Sequence, residues 1–182
     1  MPYAKYPLLT KNGIKTRPIQ ERRSLVRLED FPRACVPGAD FNSFVDSLPN
    51  LLAAADLKEF AARLIAARRL DKPIVWGMGA HAVKLGLGPL LIDLMQRGWI
   101  SAIATNGALL IHDFELALAG ATSEDVASGL LTGAYGTTQE TGLFLNRALR
   151  EGYENGMGAG EAVGNFLMQA QLPHVRHSLL FH

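Results

Sequence analysis

The sequence of 182 residues has little of what three common classes of protein require. Cys35 is its single cysteine, so a scaffold held together by disulfide bonds is excluded. No apolar run approaches the roughly 18 residues of a membrane span, and the opening residues MPYAKYPLLTKNG lack the apolar core of a signal peptide. Because 48% of the residues are hydrophobic and 19% are charged, a disordered chain is excluded as well. We therefore expect a soluble, cytoplasmic protein with no membrane partner.

Charge of one sign is concentrated only at the beginning of the chain. Residues 1–30 contain seven Lys or Arg residues and three Asp or Glu residues, whereas the whole chain has a net charge of +1. We interpret residues 1–38 as a basic arm that is solvated or joins an oligomer contact, with a phosphate- or nucleic-acid-binding arm as the alternative. The balanced total charge gives no reason to expect a nucleic-acid partner. Residues 39–182 are predicted to form the folded domain.

Two short apolar runs predict the strands of a parallel sheet. Ile74-Val75-Trp76 and the run WISAIA at residues 99–104 are each followed by a tight loop and then by a helical pattern. This alternation is typical of α/β proteins in which helices cover both faces of the sheet. Because only two strands are clear, we expect the sheet to be completed by a partner chain or in a longer form of this chain. Upstream, Asp56 with Glu59 resembles a capping box and predicts the start of a helix.

Glycine is in excess, and its pattern after the first strand predicts a nucleotide site. Gly77-Met78-Gly79-Ala80-His81-Ala82 fits the relaxed fingerprint G-x-G-x-x-[GA] between a strand and a helix. Glycines let the backbone approach phosphates, and N–H groups at a helix N-terminus favour the anion. We therefore expect residues 77–81 to bind the phosphates of a dinucleotide, with a simple glycine turn as the alternative. The acidic residue that usually follows the second strand is missing, because that strand leads into Thr105-Asn106-Gly107.

The second loop and the helix after it supply the other candidate residues. Thr105, Asn106 and Gly107 follow the second strand, so they are expected at the same sheet edge as the first loop, where ligands usually bind. Asn-Gly is also good turn chemistry, and on position alone the two interpretations are equal. Downstream, His112-Asp113-Phe114-Glu115 offers Asp113 for a ribose hydroxyl and Asp113 or Glu115 for a cationic substrate. The alternative is that these carboxylates only favour the helix dipole.

Histidines offer candidate bases, and no metal site is predicted from them. His81 or His112 is predicted to act as a catalytic base, because the imidazole titrates near neutral pH. Metal binding by His81, His112 and Asp113 is the alternative, but these residues follow no recognised ligand pattern. The tail histidines His174, His177 and His182 imitate a ligand spacing, but histidines near a chain end are more often solvated. Lys84, one turn into the helix after the first loop, is either a phosphate contact or a surface lysine.

Taken in order, several segments resemble the deoxyhypusine synthase-like family, and its prokaryotic relatives in particular. The similarity rests on GMGAH at residues 77–81, NGA at 106–108, IHDFE at 111–115, ATSEDV at 121–126 and ETG at 140–142. It implies a Rossmann-like parallel sheet flanked by helices, bound NAD and a homo-oligomer, either dimer or tetramer. It also implies NAD-dependent transfer of an aminobutyl group from a polyamine such as spermidine. By position, residues 79–81 and 105–107 match the family's two nucleotide loops, and residues 112–115 match its acidic segment.

The departures from that family keep other functions open. True synthases have a Thr-Ser-Asn type of first loop and consecutive carboxylates in the acidic segment, and they form an imine on a lysine of the later half. No lysine follows Arg150, so that residue has no match here and we expect a truncated chain or a half-domain. The alternatives are homospermidine synthase-like activity, a non-catalytic NAD- or nucleotide-binding regulatory module, or a scaffold that binds nothing.

Overall fold

The computed structural model describes residues 11–182, which divide into two compact units, one ending at Arg63 and one spanning Leu64–His182. In the first unit, single turns of 3₁₀ helix at Ile19–Glu21 and Leu28–Asp30 precede helix α1, Phe41–Ser47. The described part of the basic arm is largely exposed, residues 1–10 lie outside the described residues, and the boundary at residue 38 stays a prediction.

Two helices of this region begin at different kinds of residue. Asp40 caps α1, because its carboxylate accepts a hydrogen bond of 2.7 Å from the backbone N–H of Ser43. Helix α2 spans Leu52–Arg69, so the start predicted at Asp56 is wrong and Asp56 lies one turn inside the helix. Leu52 itself has a φ of +48°, which bends the chain sharply into that first turn. The helix has no buried residue, although leucine, phenylalanine and isoleucine recur along one side of it.

The second unit contains the predicted pair of parallel strands. Strand β1 (Val75–Gly77) pairs with strand β2 (Ala102–Ala104) in the register Val75 to Ala102 and Gly77 to Ala104. Between them lie helix α3 (His81–Lys84) and helix α4 (Gly88–Gln96), and α4 leads to a left-handed Gly98 with φ +71°. The structure therefore confirms a parallel sheet with helical connections, at the level of two strands in the described part of the chain.

Helices make up the remainder of the unit. Helix α5 spans Gly107–Ala119 and ends at Gly120, whose φ of +67° is the left-handed conformation common after a helix. It is followed by α6 (Val126–Thr132), α7 (Gln139–Glu154), α8 (Ala159–Ala170) and a 3₁₀ turn at Val175–His177. The unit is a mixed α/β structure that is mostly helical.

Helix α5 contributes to two hydrophobic clusters. Leu109 belongs to the cluster under the sheet, whereas Phe114 belongs to a cluster with α7 and α8. Both side chains are almost fully buried, at 1% and 0% exposure. Helices α7 and α8 approach so closely that a Cβ on Gly152 would overlap the methyl group of Ala162. Helix α5 is therefore the element that joins the sheet to the helical part of the core.

One expectation about the sheet is corrected. The apolar strands were expected to be covered on both faces, but Val75 is 63% exposed while Trp76 and Ile103 pack against the core. Side chains alternate across a strand, so the two-stranded sheet is packed on one face and open on the other. In residues 11–182, no helix is both long enough and apolar enough to cross a membrane.

Candidate functional site

The two loops that follow the strands lie side by side, as the sequence predicts. Parallel strands end at the same edge, and beyond that edge the backbone N–H of Met78 still donates to the carbonyl of Ala104 at 3.0 Å. A Cβ built on Gly79 would lie 3.6 Å from the side-chain nitrogen of Asn106. The residues proposed from each loop are thus adjacent.

Neither the backbone conformation nor the packing of the first loop requires its glycines. Neither Gly77 nor Gly79 has a positive φ, and a Cβ at either position would meet no atom closer than ordinary van der Waals contact. Ala80 is buried in the cluster under the sheet and Met78 packs against that cluster, whereas His81 is exposed at the start of α3. The first loop is therefore half anchored in the core and half open to solvent.

A pocket opens beside the second loop. Its volume is about 570 Å³, and Thr105, Asn106 and Gly107 form one wall while Leu179 and Leu180 form another. Residues 77–81 do not line it. Helix α5 begins here, and its N-cap residue Asn106 makes no side-chain capping hydrogen bond. The N-terminus of α5 is therefore a better-formed position for an anion at this sheet edge than the N-terminus of the one-turn helix α3.

A second cleft, which shares Gly107, Leu110 and Leu149 with the first pocket, runs along α5 toward α7. It has a volume of about 580 Å³ and reaches Gly107 at one end, so it approaches the same helix start as the first pocket. Its wall includes Leu110, Leu145 and Leu149, and it also carries a lysine, a histidine and two glutamates: Lys84, His112, Glu115 and Glu124. The cleft therefore combines an apolar wall with a mixed group of charges in which carboxylates outnumber lysines.

Four side chains form a connected polar cluster, which we call the α5 cluster: His112, Glu115 and Thr141 line this cleft, and Thr122 lies outside its lining but bonds to both His112 and Glu115. Thr122 Oγ1 lies 2.7 Å from His112 Nδ1 and 2.5 Å from Glu115 Oε2. His112 Nδ1 is also 3.3 Å from Glu115 Oε2, and the Thr141 hydroxyl donates to Glu115 Oε1 at 3.5 Å. The side chains of His112 and Glu115 are 20% and 22% exposed, so both are partly shielded from water but reachable.

Asp113 occupies a different place from the one its sequence position suggests. It is 0% exposed, and its carboxylate accepts hydrogen bonds from the Ser178 hydroxyl at 2.5 Å and from the backbone N–H groups of Leu179 and Leu180 at 2.8 and 3.1 Å. Burial raises the pKa of Asp113, and the hydrogen bonds oppose that rise. Successive residues of a helix point about 100° apart, so Asp113 cannot share the face of Glu115. The prediction that Asp113 binds cofactor or substrate is therefore corrected to a core role.

The structure thus separates the predicted residues into three groups. His112 and Glu115 meet in the cleft, the loops at 77–81 and 105–107 meet at the sheet edge, and Asp113 lies in the core. His81 lines neither pocket. In residues 11–182 no three His, Cys, Asp or Glu side chains are grouped so that they would hold a metal ion.

Sequence reasoning missed the two threonines of the α5 cluster. Thr122 follows the end of α5 and reaches Glu115 after the chain turns at Gly120, whereas Thr141 reaches Glu115 from α7. The glycine after an apolar helix was a visible signal for that turn, but the pairing of Thr122 with His112 depends on tertiary packing.

Comparison with known proteins identifies no relative of this chain. No family model, curated protein or solved structure matches this chain.

Proposed function

We propose that this chain is a deoxyhypusine synthase-like protein that binds NAD at the sheet edge and a polyamine such as spermidine in the cleft along α5. In its active form it transfers an aminobutyl group from that polyamine. The proposal includes a Rossmann-like arrangement of the sheet, a homo-oligomer and a cytoplasmic location. These features come from the resemblance of the motifs and not from the geometry.

The observation that carries the proposal is that one helix connects both sites. Helix α5 begins at Asn106, beside Gly79, and two turns later it presents His112 and Glu115 to a cleft that reaches back to Gly107. A nucleotide at the start of this helix and an amine in the cleft would therefore approach each other near Gly107. Hydride transfer between two ligands needs such proximity.

The sheet edge suits the phosphates of a dinucleotide. A Cβ would fit at Gly77 and at Gly79, so their glycines leave space that a ligand could use, and the N-terminus of α5, which no side chain of Asn106 caps, provides the positive end of the helix dipole. Lys84, on the cleft near that end, adds a positive charge.

The cleft suits a long cationic chain. Glu115 and Glu124 supply negative charge for ammonium groups, and the leucines of the wall supply apolar contact for the methylene groups between them. The backbone N–H of Gly136 donates to Glu124 at 2.9 Å, which holds that carboxylate in position at the rim. Partial burial of Glu115 strengthens its attraction for a cation relative to bulk water.

Titration with NAD tests the nucleotide site. We expect saturable binding by calorimetry and, at about 100 times the dissociation constant, a stabilisation of about 2.7 kcal/mol. Gly79→Ala should weaken binding at least tenfold, because its methyl group fits the chain but lies in the path of the ligand. Gly88→Ala is the matched control, since its Cβ would make one ordinary van der Waals contact, at 3.7 Å, much as that of Gly79 does at 3.6 Å, and Gly88 lines neither pocket. A folded protein that binds no NAD would contradict the proposal.

A second candidate function is an NAD- or nucleotide-binding module without turnover. Lys84 is the last lysine of the sequence, so residues 85–182 contain no counterpart of the imine-forming lysine that the resemblance implies. Formation of NADH on addition of spermidine separates the two candidates. Absorbance of NADH that requires both protein and amine supports the transferase, and analysis of the aminobutyl product separates deoxyhypusine synthase-like from homospermidine synthase-like activity. NAD binding without NADH formation supports the module.

A further inference from the structure

The hydroxyl of Thr122 stands between an imidazole and a carboxylate. Its oxygen is 2.7 Å from Nδ1 of His112 and 2.5 Å from Oε2 of Glu115, both within ordinary hydrogen-bond distance. The direct separation of Nδ1 from Oε2 is longer, at 3.3 Å. Each of the two hydrogen bonds through Thr122 is therefore shorter than the direct contact between His112 and Glu115.

Counting protons fixes the direction of both bonds. An ionised carboxylate has no hydrogen to donate, so the Thr122 hydroxyl donates to Glu115. That hydroxyl carries a single hydrogen, and it therefore accepts, rather than donates, in its contact with His112. Nδ1 must carry a hydrogen for this contact to form. In the neutral ring Nε2 is then the nitrogen with the free lone pair.

That free nitrogen is accessible, and it belongs to a residue that lines the cleft. Every buried polar side-chain atom in the described part of the chain has a hydrogen-bond partner, and the polar contacts of His112 are made through Nδ1. Nε2 is accordingly not buried, and His112 lines the cleft along α5.

The backbone around Thr122 is held in an unusual conformation. Gly120 has a φ of +67°, and Ser123, which is not a glycine, has the same φ of +67°. A left-handed serine is strained and persists only where its surroundings impose it. The left-handed residues Gly120 and Ser123 lie on either side of Thr122 and return the chain toward α5. The Thr122 hydroxyl is thereby placed between His112 and Glu115.

We propose that Thr122 is a positioning residue that fixes His112 as the Nδ1–H tautomer and so presents Nε2 as the proton acceptor of the cleft. The role of that acceptor rests on the proposed function. An ammonium group bound in the cleft gives one proton to Nε2, leaving a neutral amine and an imidazolium. The positive charge is then stabilised through Thr122 by Glu115, and no bond other than N–H changes.

Nitrogen NMR of the histidine side chains tests this assignment without any ligand. The resonances of His112 are identified by their loss in His112→Gln, and the shifts of the neutral ring report its tautomer. We expect wild type and Thr122→Ser, which keeps the hydroxyl, to be mainly Nδ1–H. We expect Thr122→Val, which is nearly isosteric, to shift toward the Nε2–H form that an unconstrained imidazole prefers.

Two outcomes would overturn the inference. One is an Nε2–H ring in the wild-type protein, a measurement that needs no variant to fold. The other is a retained Nδ1–H ring in Thr122→Val, which would mean that Glu115 alone fixes the tautomer. Because neither NAD nor amine is present, this result is independent of the NAD titration, and failure of one proposal is distinguishable from failure of the other.

Discussion

Asp113 and Ser178 are 65 residues apart in the sequence, yet the Ser178 hydroxyl donates to a carboxylate oxygen of Asp113 in the fully buried part of the protein. The adjacent N–H groups of Leu179 and Leu180 donate to the same carboxylate. One side chain of α5 thus fixes the segment Ser178–Leu180, which also forms a wall of the pocket at the sheet edge.

Asp113→Asn should destabilise the fold. The amide keeps one acceptor oxygen but places an NH₂ group against a donor, so at least one buried N–H loses its partner. We expect a loss of about 1–3 kcal/mol in the free energy of unfolding, measured in urea. Ser178→Ala, which removes a single donor, should cost less. An Asp113→Asn variant as stable as wild type would contradict the anchoring role.

Asp113 should also make stability depend on pH. Its pKa is raised above 3.8, chiefly by burial, so the folded state holds this proton more tightly than the unfolded chain does. The stability contributed by the protonated form is fully present below the unfolded pKa and is lost as pH rises through the folded pKa. Urea unfolding from pH 3.8 upward should therefore show wild type losing stability relative to Asp113→Asn. A difference that stays constant with pH would contradict the shift.

Two glycines of α7 should respond oppositely to the same substitution. Gly152→Ala places a methyl group onto Ala162 of α8, and overpacking of this kind costs about 1–3 kcal/mol. Gly142→Ala meets no atom within 4 Å and gains up to about 1 kcal/mol of helix propensity. Thermal and urea unfolding of both variants checks this. Equal effects would show that α7 and α8 do not pack as described.

Glu115→Gln should weaken binding of an amine while leaving NAD binding intact. The substitution removes the charge at the centre of the α5 cluster but keeps the size of the side chain. With spermidine as the probe, we expect at least tenfold weaker binding by calorimetry, since a close, partly buried charge pair is worth more than about 1.4 kcal/mol. Glu151→Gln, which removes an exposed partner of Arg147, is the control. Unchanged spermidine affinity would argue against Glu115 as an amine ligand.

Local patterns in the sequence predicted a good part of this architecture. The two apolar runs became β1 and β2 in parallel register, and the loops after them became neighbours. Both results follow from short-range rules, because a β-branched run followed by a tight glycine loop and a helix has few alternatives. The sequence predicted that α2 starts at Asp56, whereas it starts at Leu52, because the capping-box pattern at Asp56 lies inside the helix.

The roles of the side chains on α5 were harder to predict. His112, Asp113 and Glu115 are all polar residues of one apolar helix, and periodicity alone does not say which of them faces a cavity. The answer depends on Ser178 and Thr122, which reach α5 from other segments. Such long-range hydrogen bonds have no local signal, so the structure was needed to separate the core carboxylate from the one in the cleft.

Helix α5 begins at the sheet-edge pocket, lines the cleft with Glu115, and is packed into both hydrophobic clusters. If the proposed nucleotide and amine both contact this 13-residue helix, any effect of one ligand on the affinity for the other must be the same factor in both directions, because thermodynamic linkage is reciprocal.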